Sequence, residues 1–126
     1  INYFKPLSYM FILISLIVTF PLYKADHEMS KAFKIGNADL AVKAAKLFPE
    51  STVRYNKVGQ ELTASQLWPQ ALDIGRSASN FNNKSITAWL IILANPTASL
   101  DERKYAKERI LELDPFNDEI RKLTIE

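Results

Sequence analysis

The feature that most constrains this chain is a run of residues near its N-terminus that carries no charge. The run extends from Pro6 to Tyr23 and contains LSYMFILISLIVTFPLY, Leu7 to Tyr23. At about 1.5 Å per residue, a helix over this run is roughly 27 Å long, which is close to the hydrocarbon core of a bilayer. We therefore predict a transmembrane helix over residues 1–23 that contacts the lipid bilayer through Leu7 to Tyr23.

Residues on both sides of the run also favour a membrane span. Aromatic and cationic side chains are enriched where a helix passes from hydrocarbon to water. The candidates are Tyr3, Phe4 and Lys5 on one side and Tyr23 and Lys24 on the other. Flanking charge leaves the orientation open, because Lys5 opposes Lys24. Pro21 is expected to bend or end the helix near the membrane surface.

Two other interpretations of the run stay open. A secretory signal peptide needs small residues before its cleavage site, whereas TFPLYKADHE has bulky residues there. A buried core helix would usually show a polar face, and residues 7–20 offer only two serines and one threonine. The chain starts with Ile1, and we expect it to be a piece of a longer parent protein whose last span is this helix.

From residue 24 onward, the pattern changes to amphipathic helices with short breaks and no sustained strand alternation. The spacing predicts helices over residues 25–35, 38–48, 51–65, 68–80, 86–94, 99–113 and 118–123. Gly36-Asn37 is a C-cap signal, and Ser99 with Glu102 has capping-box spacing. The predicted fold class is all-α, with one N-terminal transmembrane helix and a helical domain over residues 24–126.

Apolar and small residues recur at helical spacing and predict the buried face of each helix. In the second of these helices they are Leu40, Ala41, Ala44, Ala45 and Phe48. The later helices contribute Tyr55, Val58, Gly59 and Leu62, then Ala71, Gly75 and Ala78, then Trp89, Ile92 and Leu93, and finally Ala106, Ile110 and Leu113.

Helix-end turns recur near Pro49, Asn83 and Pro115, at separations of 34 and 32 residues. A period in this range is typical of stacked helix hairpins. Gly59 and Gly75 lie inside predicted helices, where each costs about 1 kcal/mol relative to alanine. Close helix packing offsets this cost, so we expect Gly59 to face Ala71, Gly75 and Ala78 across a hairpin.

The segment from Ser51 to Lys84 resembles a tetratricopeptide repeat. The residues that match the repeat pattern are Tyr55, Gly59, Leu62, Trp68, Ala71, Gly75 and Ala78. Asn83 stands where the family usually has proline, although the turns at Pro49 and Pro115 keep it. The next unit retains Trp89 but has Leu93 in place of glycine, and the preceding unit keeps only its second helix clearly. The resemblance implies a short tetratricopeptide-like stack of helix hairpins.

An apolar span followed at once by such repeats is also similar to the C-terminal tail of bacterial O-antigen ligase and polymerase-type membrane proteins. The most similar stretch is AAKLFPESTVRYNKVG, and the chain ends its repeats with ERILELDPFND. The resemblance implies a parent that transfers glycans from a polyprenyl-linked sugar, with residues 24–126 on the periplasmic side of the inner membrane. No stretch here matches the family's catalytic loop, so the resemblance assigns no catalytic residue.

The sequence contains no pattern of catalytic, metal-binding or cofactor-binding residues. It has no cysteine and one histidine, and His27 alone supplies neither a metal cluster nor a catalytic triad. Its three glycines form no phosphate-binding loop. The 16 basic and 14 acidic residues form no basic cluster, which argues against a nucleic-acid partner. We expect no cofactor and no metal.

One helix face is a candidate binding surface. Asn56, Gln60 and Thr63 lie at i, i+4 and i+7 and would project to one side of the third helix of the predicted domain. The simpler interpretation is an ordinary hydrated helix face. Trp68 and Trp89 could stack on a ligand, but large aromatic residues in stacked hairpins more often fill the core.

These patterns predict an extracytoplasmic helical-repeat tail that acts as a scaffold or in protein interaction. The expected partners are the bilayer and either another protein or the parent's own membrane domain. The rival hypothesis is a free-standing, membrane-anchored tetratricopeptide-like adaptor without enzymatic activity. A third hypothesis is a soluble helical domain whose first helix is buried.

Overall fold

The computed structural model describes residues 4–126, with side chains from Lys5 onward; the predicted anchor Tyr3 and the side chain of Phe4 lie outside this description. All regular structure in this range is helical, with no strand. The helices are α1 (Phe4–Ile35), α2 (Ala38–Ala45), α3 (Thr52–Ala64), α4 (Trp68–Phe81), α5 (Ile86–Leu93), α6 (Leu100–Leu113) and α7 (Asp118–Lys122).

The first helix is longer than the predicted span. α1 has 32 residues and continues through Pro21, so of the two outcomes expected there, a bend or a helix end, the helix end is wrong. The expected boundary between residues 23 and 24 falls inside this helix. A proline removes one backbone hydrogen bond. Beyond it, the buried side chains of Ala25, Met29 and Ala32 hold the chain against the helical domain, which keeps it helical.

The two parts of α1 have opposite environments. Lys5–Ile35 is long and apolar enough to cross a membrane, and none of its most apolar 18-residue window is buried. The apolar side chains from Leu7 to Tyr23 are exposed, with Pro21 half-buried. The alternative of a first helix buried in a soluble domain is therefore wrong, because the domain leaves this run uncovered.

Consecutive helices pack in pairs, α1 with α2, α3 with α4, and α5 with α6. α4 also packs on α5, and this contact joins the second pair to the third. One core cluster runs from Met29 of α1 through α2, α3 and α4 to Ala88 of α5. A second cluster lies among α4, α5 and α6 around Trp89 and Ile110. The side chains predicted for α3, α4 and α5 are buried, as expected.

The prediction for α2 fails at both ends of its apolar stripe. α2 ends at Ala45 rather than at residue 48, and the following turn contains the cis peptide bond between Phe48 and Pro49. Phe48 therefore leaves the helical stripe, and both Phe48 and Leu40 are exposed. Ala41, Ala44 and Ala45 are buried as predicted.

Two helices end in the same backbone motif. At the end of α1, Gly36 has a φ of 71°, its N–H donates to Phe33 O, and Asn37 N–H donates to Ala32 O. This Schellman motif confirms the predicted C-cap. The end of α3 repeats the pattern with Gln66 at a φ of 57°, a conformation that costs a residue with a side chain about 1–2 kcal/mol.

The two helical glycines make room for a helix of the next pair. A Cβ atom on Gly59 would lie 2.4 Å from Ile91 Cδ1 and 3.2 Å from Ile74 Cγ2. A Cβ atom on Gly75 would lie 3.0 Å from Ile91 Cγ2. Both glycines are buried as predicted. Gly59 faces α4 as expected, but the nearest atom of α4 belongs to Ile74 and not to Ala71, Gly75 or Ala78. Ile91 of α5 fills the space, because α5 packs over the crossing of α3 and α4.

Candidate functional site

The three residues of the predicted binding face differ in exposure and in hydrogen bonding. Asn56 is half-buried, and its side-chain amide exchanges two 3.3 Å hydrogen bonds with Ser85 Oγ, which also caps α5. Thr63 Oγ1 donates to Gly59 O of its own helix at 2.7 Å. Gln60 is exposed. Asn56 thus joins α3 to α5, and Gln60 is the member of the three that is open to solvent.

The remaining repeat positions have mixed environments. Trp68 is half-buried and Pro115 is exposed, whereas Tyr55, Leu62, Ala71, Ala78 and Trp89 are buried. Trp89 Nε1 donates to Asn83 O at 2.8 Å. The Trp89 ring packs edge-on against the Tyr105 ring, with the two ring centroids 5.5 Å apart. Trp89 is therefore a core residue, in agreement with the interpretation preferred from the sequence.

The best candidate for a binding site is a cleft of about 470 Å³ between the first helix pair and α3. Its apolar wall comes from Ala32 and Phe33 of α1, Ala41 of α2 and Leu62 of α3. Lys57 and Glu61 of α3 also line it and are exposed. Lys57 and Glu61 are one helical turn apart, so they place one positive and one negative group at the rim.

The shape and lining of this cleft suit binding rather than chemistry. A half-buried Phe33 beside small alanines leaves space for an apolar side chain of a partner. The charged rim could pair with polar groups that flank such a side chain. No side chain lining the cleft is an activated nucleophile or a histidine.

A second, smaller cleft of about 310 Å³ lies between α4, α5 and α6. Arg76 donates two hydrogen bonds to Glu102 across it, at 2.9 and 2.6 Å. This hydrogen bonding lowers the pKa of Glu102 against the opposing effect of desolvation, and it raises the pKa of Arg76. The pair closes the cleft with mutually satisfied charges, so it serves packing between α4 and α6.

A buried arginine that the sequence did not single out joins α1 to the turn between α2 and α3. Arg54 Nη1 donates to Leu47 O at 3.1 Å and to Pro49 O at 3.0 Å. Its Nε lies 3.6 Å from Asp26 Oδ1 of α1 and makes no hydrogen bond. Arg54 lies among the apolar residues of α3. Its burial is explained by the backbone carbonyl groups of the preceding turn, which accept hydrogen bonds from its guanidinium group.

The same turn has a second polar connection. The Tyr55 hydroxyl donates to Glu50 Oε2 at 2.8 Å, and its ring packs against Phe81. Burial, followed by this hydrogen bond to a carboxylate, raises the pKa of Tyr55 to about 12. Tyr55 therefore stays neutral and holds the turn to α3.

The one histidine of the described residues is not part of a ligand cluster. His27 is exposed and stacks on the Tyr23 ring, with centroids 5.8 Å apart. Within the same range, no group of three or more His, Asp or Glu side chains could hold a metal ion.

Comparison with known proteins identified no relative. No family model, no curated protein and no solved structure matches the chain.

Proposed function

We propose that this chain is a membrane-anchored module of tetratricopeptide-like helix hairpins that binds a protein segment close to the bilayer. The observation that carries the proposal is the continuity of α1. Its exposed apolar part has the length of a membrane span, and its last third is part of the core of the helical domain. A single helix of this kind holds the domain directly against the membrane.

The same continuity favours a permanent anchor over a cleaved signal peptide. Cleavage after Tyr23 would cut inside α1, two residues before the buried Ala25. A signal peptide instead precedes an extended segment that reaches the peptidase. The anchor is best tested by placing arginine at Leu13 and Ile17, where a charge in hydrocarbon costs about 2.5–3.5 kcal/mol.

The double variant Leu13→Arg/Ile17→Arg should leave the membrane fraction, whereas wild type resists extraction by alkaline carbonate. Both residues are exposed in the structure, so the variant should keep the helical circular dichroism of the domain. Wild-type protein that is released by carbonate would contradict the proposed anchor.

The cleft beside Phe33 is the proposed binding site, because it is apolar within and charged at its rim. A photo-crosslinking amino acid at Lys57, on the rim, should form one discrete adduct in native membranes. The same amino acid at Lys122, on the exposed α7, is the matched control. Filling the cleft with Ala38→Trp should abolish the adduct; an adduct that persists would place the binding site elsewhere.

The parent protein is proposed to be an O-antigen ligase or polymerase-type enzyme, with the domain in the bacterial periplasm. The support for this is the resemblance of the span and repeats to the tails of such proteins. The absence of catalytic constellations in residues 4–126 is compatible with that parent and equally with the rival adaptor. Deleting residues 24–126 in the source bacterium and examining its lipopolysaccharide would separate the two, since an adaptor without an enzyme leaves the glycan unchanged.

The membrane orientation has its own test, because the chain contains no cysteine. A single cysteine at the exposed Glu119 should react in intact cells with a maleimide that does not cross the inner membrane. Labelling only after the cells are lysed would place the domain in the cytoplasm.

A further inference from the structure

We propose that the helical domain touches the bilayer at a second place, through Phe48 and Val53, which we call the proximal surface. This inference rests on the proposed membrane anchor. Phe48 lies in the turn between α2 and α3, and Val53 lies in the first turn of α3. Both side chains enter the interfacial layer of the lipid in which α1 is embedded.

The course of the chain places this turn at the membrane end of the domain. α1 leads away from the span, and α2 returns alongside it over eight residues, about 12 Å. Leu47, just after α2, lines one groove together with Lys24, the first charged residue beyond the apolar run. The turn therefore lies near the level at which α1 leaves the hydrocarbon.

Arg54 fixes the turn at that level. Its Nη1 holds the carbonyl groups of Leu47 and Pro49, which are the two neighbours of Phe48. Its Nε is 3.6 Å from Asp26, three residues or about 4.5 Å beyond Tyr23 along α1. Phe48 is thus held next to the end of the span rather than on a mobile loop.

Phe48 and Val53 are, with Phe116, the most exposed large apolar side chains of the helical domain. Phe48 is 78% and Val53 is 77% exposed, although neighbouring Arg54 and Tyr55 are buried. Aromatic residues are favoured where hydrocarbon meets headgroups. Contact with lipid would remove both side chains from water without any change in the fold.

The proposed contact is apolar insertion, which needs no anionic lipid. Lys46 is paired with Asp73 at 2.7 Å, and Arg54 lies beside Asp26. The groove beside the turn is lined by three lysines and one carboxylate, Lys24, Lys31, Lys43 and Glu28. Phosphatidylcholine has no net charge, so a contact with vesicles of this lipid reports apolar insertion and not the attraction of these lysines to anionic lipid.

The experiment uses the full chain in phosphatidylcholine vesicles, with one cysteine per variant carrying an environment-sensitive fluorophore. The variants are Phe48→Cys, Val53→Cys, Ile14→Cys in the span, and Ile35→Cys at the far end of α1. Ile35 is a matched control, because it is 59% exposed and lies about 18 Å beyond Tyr23 along the helix. A lipid carrying a nitroxide near its headgroup serves as the quencher.

We expect several-fold stronger quenching at positions 48 and 53 than at position 35, as for groups buried about 5–10 Å into the headgroup boundary. Position 14 should be shielded from a water-soluble quencher. Quenching at 48 and 53 no stronger than at 35, with position 14 shielded, would overturn the proximal surface alone. An unshielded position 14 would overturn the membrane anchor, and the inference with it.

Discussion

At the residue scale, α5 can pack closely on the second helix pair because two residues of that pair are glycines without side chains. Ile91 lies over Gly59 of α3 and Gly75 of α4 at once. Each glycine costs its helix about 1 kcal/mol relative to alanine. The contacts of a fully packed isoleucine offset that cost, since a buried aliphatic side chain contributes about 1.5–3 kcal/mol.

Gly59→Ala should lower the free energy of unfolding by about 1–2 kcal/mol, because its Cβ atom would overlap Ile91 Cδ1. Gly59→Leu should cost several kcal/mol. Ile91→Val removes Cδ1 and should rescue Gly59→Ala, so that the double variant loses less than the sum of the single changes. Urea denaturation followed by circular dichroism measures this coupling.

Gly75→Ala supplies the control for that cycle. Its Cβ atom would meet Ile91 Cγ2 and Ile92 Cγ1, and valine at position 91 retains a Cγ2 atom. Ile91→Val should therefore leave the cost of Gly75→Ala unchanged. Equal rescue of both glycine variants would contradict the contact between Gly59 and Ile91 Cδ1.

Gln66 and Gly36, at the ends of two helices, both have a positive φ, and substitutions at them should change the stability of the domain in opposite directions. Gln66→Gly should stabilise the domain by about 1 kcal/mol, because glycine adopts a positive φ without steric cost. Gly36→Ala should destabilise it by about the same amount, and only through the backbone, since no atom lies within 4 Å of the added Cβ. Thermal melting of both variants checks the signs; a destabilising Gln66→Gly would exclude the motif.

At the scale of helices, a few buried polar groups hold one pair to the next. Asn95, at the end of α5, donates from Nδ2 to Trp68 O at the start of α4, at 2.7 Å. Its Oδ1 accepts from Thr97 N–H at 2.9 Å. Arg54 and Tyr55 do the same for the turn before α3. These groups set the positions of helix ends that apolar packing alone would leave free to slide.

Asn95→Ala should lower the free energy of unfolding by about 1–3 kcal/mol, because it removes the hydrogen bonds that the fully buried Asn95 side chain makes with Trp68 O and Thr97 N–H. Asn80→Ala is the matched control, since Asn80 is exposed on α4 and should change stability by less than about 0.5 kcal/mol. Chemical denaturation measures both variants. Equal effects would show that the hydrogen bond to Trp68 contributes nothing.

The raised pKa of Tyr55 leads us to expect that the free energy of unfolding falls at high pH. Its pKa in the folded chain is about 12, above the ordinary value of 10.0, so the unfolded chain loses the phenolic proton first. The contribution of neutral Tyr55 is thus complete below pH 10 and is lost as the pH rises from about 10 through about 12.

Tyrosinate absorbance of the folded protein should show one late phase near pH 12. Tyr55→Phe should remove this phase and flatten the loss of stability above pH 10. In the control Tyr105→Phe, which retains Tyr55, the late phase should survive. A late phase that survives Tyr55→Phe would belong to another tyrosine.

At the scale of the whole molecule, α1 divides into an exposed part and a part that completes the core. The apolar window of α1 is unburied, whereas Ala25, Met29 and Ala32 are buried, and Met29 and Ala32 belong to the core cluster that α2 and α3 share. The stability of the helical domain therefore depends on the last third of α1 and not on its span.

Two truncations test this division. Residues 24–126 expressed alone should give a soluble helical product with one cooperative thermal transition. Residues 36–126 lack Met29 and Ala32 and expose the alanines of α2, so this product should melt at lower temperature or aggregate. A fragment 24–126 that fails to fold, beside a full chain that does, would mean that the span belongs to the core.

The properties that the sequence by itself determined are local ones. The positions of α3 to α7, capping residues such as Ser99 and the buried stripe of α3 follow from spacing within one helix, and the structure places them close to the predicted residues. The apolar run stands out for the same reason, because its composition needs no partner to be recognised. The spacing of Asn56, Gln60 and Thr63 indicates that they share one face of a helix. It does not indicate which other helix packs against that face.

The tertiary structure decided what depends on residues distant in the chain. Because of tertiary packing, α1 continues through Pro21, Ile91 lies over Gly59, and Phe48 is exposed on the outside of the domain. Tertiary packing also paired Asn56 with Ser85, 29 residues away, and thereby closed part of the predicted face. The physical reason is common to all four: helical periodicity is set by neighbouring residues, whereas the space and the hydrogen-bond partners at a helix surface are set by whichever element packs against it.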